Sequence, residues 1–112
     1  MSYFQKLADY VKKRFYRWRY SKYKPIFCDD EPENIQPGHC YIVTDDGYPY
    51  SVLFKCPCGC NDDIALNLVG QHPVWKLKSF NADDQITLHP SVHRINRCKS
   101  HFFVRGGCIV WV

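Results

Sequence analysis

The sequence predicts a mainly β domain, a small antiparallel sandwich or barrel, led by one amphipathic helix and stapled at two cysteine-rich turns. Three observations predict it. From residue 39 onward, short runs of β-forming residues are separated by turn signals. Residues 3–22 carry apolar side chains at a helical period instead. The third observation is ligand chemistry: Cys56, Cys58 and Cys60 form one tight cluster, and Cys98 and His101 form a second, 37 residues further on. At 112 residues the chain forms one domain with a modest core, which a staple would help to hold.

The helix comes first. Phe4, Leu7, Val11, Phe15 and Trp18 recur at steps of three or four, one face of an α-helix. Ser2 is placed to cap its start. Pro25, which disfavours helical geometry before it, ends it. Charge singles out the same segment. Residues 1–24 hold eight Lys or Arg against Asp9 alone, a net +7, whereas the remaining 88 residues hold seven against ten acids, a net −3. The expected divisions are a basic helix at 1–24, a linker at 25–38 and a β domain at 39–112. Three uses of the helix stay open. Its stripe packs on the domain, its basic residues meet nucleic acid or an acidic partner, or it lies on a membrane surface. Lys12, Lys13, Arg14, Arg17 and Arg19 are the candidate partner-binding residues.

The acidic run from Asp29 to Glu33 reads as a solvated loop, and Pro37-Gly38 as the turn into the first strand. Strands are expected at 39–44, 50–55, 63–69, 73–79, 85–89, 101–104 and 108–112. Ile64, Leu66 and Leu68 alternate cleanly, as do Ile86 and Leu88. Asp45-Asp46-Gly47 and Arg105-Gly106-Gly107 stand where hairpin turns belong.

The cysteine clusters point to a metal, and zinc is the cofactor they predict. Structural zinc takes four Cys or His ligands at about 2.0–2.3 Å. Pro57 and Gly59 break an extended strand and favour a knuckle, so that Cys56, Cys58 and Cys60 converge. Cys98 and His101 supply the second turn. Five candidates for four places leave one over, and Cys56 or Cys60 is the expected outlier. An iron–sulfur site of mixed Cys and His ligation would need a second His beside the first cluster, and residues 56–60 have none. Cys28, Cys40 and Cys108 read as small apolar residues, and His89 and His93 as surface groups flanking Pro90-Ser91.

No Gly-x-Ser-x-Gly elbow and no phosphate loop is present. Ser91 and Ser100 read as turn or cap residues rather than nucleophiles. The first twenty residues hold six Lys or Arg and do not read as a signal peptide. With an odd number of cysteines, the expectation is a cytoplasmic chain without a transmembrane segment.

Five blocks in order carry a resemblance: Phe54 to Cys60, Val74 to Leu77, Ile86 to Val92, Cys98 to Gly107, and Val110-Trp111. Over roughly residues 26–112 the chain resembles a small bacterial and phage zinc-knuckle family of unknown function, found beside bacterial ubiquitin-like conjugation genes. One departure is Asn61, where that family usually has Gly; Asn tolerates the left-handed region. The basic helix lies outside the resemblance.

Together these readings favour a zinc-stabilised module that binds a protein partner in a ubiquitin-like conjugation or phage-defence pathway. Trp75 and Trp111 are its anchors if they lie on the surface. On the question of catalysis the sequence leans towards no enzyme. The alternatives are a metal- or thiol-dependent peptidase acting on ubiquitin-like precursors or conjugates, and nucleic-acid binding through the helix.

Overall fold

In the computed structural model, which describes residues 2–80 and 85–112, a capped helix opens the chain. The Ser2 hydroxyl accepts from the Gln5 backbone N–H at 3.3 Å, and the Gln5 side chain accepts from Ser2 N–H at 3.2 Å. This reciprocal pair satisfies two amides that the first turn leaves unpaired. Helix α1 then runs Tyr3–Arg19. Eight strands follow: β1 (Lys24–Cys28), β2 (His39–Asp45), β3 (Tyr48–Lys55), β4 (Asp63–Asn67), β5 (Lys76–Phe80), β6 (Gln85–His93), β7 (His101–Arg105) and β8 (Cys108–Trp111).

Two tight turns fix the register of two hairpins. Asp46 and Gly47 have φ of 52° and 82°, and Gly106 and Gly107 have φ of 56° and 77°. A two-residue loop with both residues left-handed matches the twist of an antiparallel pair. Asp45 accordingly faces Tyr48, and Arg105 faces Cys108. The strands form two four-stranded sheets in chain order, β1-β2-β3-β4 and β5-β6-β7-β8. All pairings are antiparallel except β1 with β2, which run parallel from Lys24 opposite His39 to Cys28 opposite Val43.

The fold is thus mainly β with an N-terminal helix, as the sequence predicts. Several boundaries differ by up to three residues, and two differences are larger. Residues 24–28, expected to close the helix segment and open the linker, form an edge strand. Pro25 is tolerated there because an edge strand leaves one side of its backbone without a ladder partner. Strand β6, expected to stop before Pro90, continues to His93 through a bulge. Its pairing with β7 jumps from Leu88 opposite Val104 to Val92 opposite Phe102, so two extra residues are accommodated on β6.

One core lies between the sheets. Ile42, Val52, Phe54, Ile64 and Leu66 from the first meet Ile86, Leu88, Val92, Phe102, Val104 and Ile109 from the second. Phe54 and Phe102 meet edge-to-face across it, 6.2 Å between centroids. The other face of the first sheet buries Tyr41, Val43 and Leu53 under Ile26, Ile35 and Tyr50. Helix α1 contributes no buried residue. Its attachment is local. Tyr16 packs over Gly59, Tyr20 over Gly38, and the Arg17 guanidinium sits 4.1 Å above the Trp111 ring. The apolar stripe of α1, whose packing on the domain is one of three uses the sequence leaves open, stays exposed.

Immediately after the helix the chain joins the core. Tyr23 is buried and its hydroxyl donates to the Lys55 carbonyl, while Ile109 N–H donates to the Ser21 carbonyl at 2.8 Å.

Candidate metal knuckle and serine–histidine pair

Strand β3 runs straight into the knuckle. Cys56 N–H donates to the Asp62 carbonyl at 2.9 Å, which closes the loop on itself. Gly59 and Asn61 turn it with φ of 96° and 67°. The turn aims the Cys60 N–H at Cys58 Sγ, 3.3 Å away, so a thiolate there receives a backbone donor. A fourth sulfur arrives from the turn between β6 and β7. The Arg94 carbonyl accepts from Lys99 N–H and Arg94 N–H donates to the Ser100 carbonyl, both at 2.8 Å. This turn presents Cys98 towards the first cluster, with Cys56 Sγ 3.4 Å from Cys58 Sγ and 3.6 Å from Cys98 Sγ.

The sulfurs of Cys56, Cys58, Cys60 and Cys98 all lie within 4.8 Å of one another. A tetrahedral site with metal–sulfur bonds of about 2.3 Å separates its sulfurs by about 3.8 Å. The four cysteines therefore fit a closed, four-coordinate metal ion. Arg94 is the charge that the sequence reading missed. Its guanidinium lies 4.0 Å from Cys60 Sγ and 3.5 Å from the Asp62 carboxylate. A cation held there offsets part of the negative charge of clustered thiolates.

The thiols differ from one another. Burial pushes those of Cys56 and Cys60 up. Burial alone would raise Cys98 too, but hydrogen bonds from the Ser100 side chain and backbone outweigh it and bring the thiol down to about 6. Cys98 Sγ and Ser100 Oγ are 3.2 Å apart. Of the remaining cysteines, Cys40 is fully buried in the core, and burial pushes its thiol up to about 12. Cys28 and Cys108 are half-buried.

His101, expected as a ligand, lies outside the group of four sulfurs that stand within 4.8 Å of one another. The reason is strand alternation. Phe102 and Val104 are buried in the core, so His101 and Phe103, one residue out of step, face the opposite side of the sheet. There His101 Nε2 lies 2.8 Å from Ser91 Oγ. Ser91 is set by the bulge of β6, and its carbonyl accepts from Trp75 Nε1 at 3.4 Å. His93, directly opposite His101 in the ladder, stacks on it with ring centroids 4.3 Å apart and planes 9° off parallel. The Phe103 ring, two residues along the same strand, lies 6.4 Å from the imidazole with its plane 30° off parallel.

Neither Ser91 nor its partner was legible as a pair. They are ten residues apart with a turn between, and no fixed spacing encodes a diagonal cross-strand contact. The remaining candidates divide. Trp75 and Trp111 are half-buried against the core rather than free anchors. Lys12, Lys13, Arg14 and Arg19 lie exposed on the helix, and Arg17 stacks on Trp111.

A small two-sheet domain thus joins a four-thiol knuckle that could hold a metal ion to a serine hydroxyl resting on an imidazole nitrogen, an arrangement in which the imidazole can take the hydroxyl proton. Residues 27–112 match the family described as "Bacterial ubiquitination-like system serine protease (BubE)", and the chain belongs to that family. No curated protein and no solved structure matches it. Membership agrees with the expected tie to bacterial ubiquitin-like conjugation. No helix among the described residues is long and apolar enough to cross a membrane.

Proposed function

We propose that this chain is a zinc-stapled serine peptidase acting on the tails of ubiquitin-like precursors or conjugates. Ser91 is the nucleophile and His101 its general base. The carrying observation is the 2.8 Å contact between Ser91 Oγ and His101 Nε2 on the outer face of β6 and β7. The serine protease description of the family supports it. Among the described residues, Ser91 is the serine whose hydroxyl meets an imidazole. Ser2 caps α1 and Ser100 serves Cys98.

The roles follow from the geometry. His101 Nε2 takes the Ser91 proton as Oγ attacks the scissile carbonyl, and returns it to the leaving amine. The stacked His93 ring limits rotation of the imidazole and so keeps Nε2 towards Ser91. The bulge and the Trp75 N–H fix the Ser91 backbone. This reading replaces the sequence expectation of a non-catalytic module and of Ser91 as a turn residue.

The metal has a different task. Cys56, Cys58, Cys60 and Cys98 would supply the full ligand set of a structural metal ion. Bound zinc would tie the end of β3 to the turn that leads from Ser91 to His101. It would hold the pair in register and take no part in the chemistry.

The test is cleavage of a tail-extended ubiquitin-like precursor encoded beside this chain. Ser91→Ala and His101→Ala should each lower kcat/KM by about a thousandfold or more, with unchanged melting temperature and zinc content. A serine-directed phosphonate should label Ser91 and nothing else. Full activity in Ser91→Ala protein would defeat the assignment.

A further inference from the structure

Helix α1 belongs to neither the family match nor the peptidase site, and its faces are sorted in an unusual way. Phe4, Leu7, Val11, Phe15 and Trp18 are 79, 47, 57, 61 and 72% exposed. At 3.6 residues per turn these five side chains form one stripe. Tyr16 and Tyr20, which fasten the helix to Gly59 and Gly38, lie roughly 140–180° away round the helix. The domain therefore holds α1 by its back and presents the apolar stripe outward.

Basic residues border that stripe. Arg14 falls on one side of it, Arg19 and Lys12 on the other, and all three are exposed. We infer that α1 is a membrane-surface anchor that lays its Phe, Leu and Trp side chains into the headgroup boundary of an anionic bilayer. Charge complementarity commits the proposal to that occupant: residues 1–24 carry a net +7 in a chain whose remainder is net −3. An interfacial helix pairs an apolar face carrying Trp and Phe with flanking Lys and Arg. Each basic residue near an anionic surface strengthens attachment about fivefold. A helix of 17 residues is about 25 Å long, enough to lie flat on a bilayer and too polar to cross it.

Nucleic acid fits less well. A phosphate backbone would engage the Lys and Arg residues and leave five exposed apolar side chains unused. The inference does not depend on the peptidase reading, because it concerns a different face of the molecule.

The test uses the full chain with vesicles of equal parts phosphatidylcholine and phosphatidylglycerol, against vesicles of phosphatidylcholine alone. Cosedimentation should favour the anionic vesicles by at least tenfold and weaken with salt. Trp18, exposed in solution, should shift its emission to the blue on binding, and Trp18→Phe should remove that shift. The double variant Leu7→Ser/Phe15→Ser should lose at least tenfold in binding. Lys12→Glu/Arg14→Glu should do the same, with cleavage by the Ser91 site intact in both.

Equal binding to both vesicle types overturns the proposal, as does no binding to either. So does a stable dimer in light scattering that Leu7→Ser/Phe15→Ser dissociates, which would give the stripe to a second copy. Duplex DNA binding lost in Lys12→Glu/Arg14→Glu and kept in Leu7→Ser/Phe15→Ser, without vesicle binding, would give the helix to nucleic acid.

Discussion

Arg94 sits between two demands, the thiols of the knuckle and the Asp62 carboxylate. Four thiolates around one divalent cation leave a net −2, and a neighbouring guanidinium lowers the cost of holding it. Arg94→Ala should weaken zinc binding about 10–100-fold, the usual effect of losing a partner of the ligands. A chelator competition measures it. The same thiols set a pH dependence. Cys98 is held down to about 6, while burial raises Cys56 and Cys60 above the usual thiol value of 9.0. At pH 8 the raised thiols still carry protons that the metal must displace, so zinc uptake releases protons. Zinc affinity should therefore rise from pH 6 to pH 8, and an affinity flat over that range would count against thiolate ligation. At His93 a further substitution separates stacking from ring chemistry. His93→Ala should reduce kcat with little change in KM, and His93→Phe, which keeps an aromatic face on His101, should restore most of it.

At the scale of elements, the knuckle and α1 meet at one glycine. A Cβ on Gly59 would lie 3.3 Å from Tyr16 Cγ, on a backbone with φ of 96°. Gly47 in the β2–β3 turn has φ of 82° but nothing within 4 Å. Both Gly→Ala changes carry the left-handed penalty, about 1–3 kcal/mol. Only Gly59→Ala also displaces Tyr16. Its melting temperature should fall further than that of Gly47→Ala, and Tyr16→Ala should narrow the gap between Gly59→Ala and its parent background. Equal losses would show that Tyr16 does not rest on the knuckle. Strand β6 is the element that makes the site. Without its bulge, Ser91 would stay in step with the ladder, and a bulge is a common way to re-aim a side chain.

At the scale of the molecule, a metal held by the four cysteines would bridge 37 residues of chain and both sheets, so that its binding energy becomes folding energy. Cys98→Ser should lower the melting temperature far more than Cys28→Ser, which alters a half-buried thiol outside the cluster. Chelation should abolish cleavage together with the native near-ultraviolet dichroism, because the turn from Arg94 to Ser100 aligns His101 on Ser91. Activity that disappears on chelation while folding persists would make the metal catalytic and overturn its structural role. Removal of residues 1–14 should leave zinc content and cleavage unchanged, since the contacts that fasten α1 begin at Tyr16.

Sequence alone determined what is written in local pattern. The period of Phe4 to Trp18, the Ser2 cap, the two glycine-bearing turns and the alternation in β4 each follow from neighbours a few residues apart, and each is found in the structure. The two cysteine clusters were equally legible, because a knuckle is a local turn. What only the tertiary structure decided depends on which strands lie side by side. Residues 24–28 became a strand because a parallel partner at His39–Val43 received them, which nothing in Lys24-Pro25-Ile26 announces. His101 stands beside Ser91 and outside the sulfur cluster because a strand begins there and its pleat turns the imidazole to the outer face. The stripe of α1 reads the same whether it is packed or bare. That it faces outward was settled by two tyrosines on the opposite side of the helix finding glycines against which to lie.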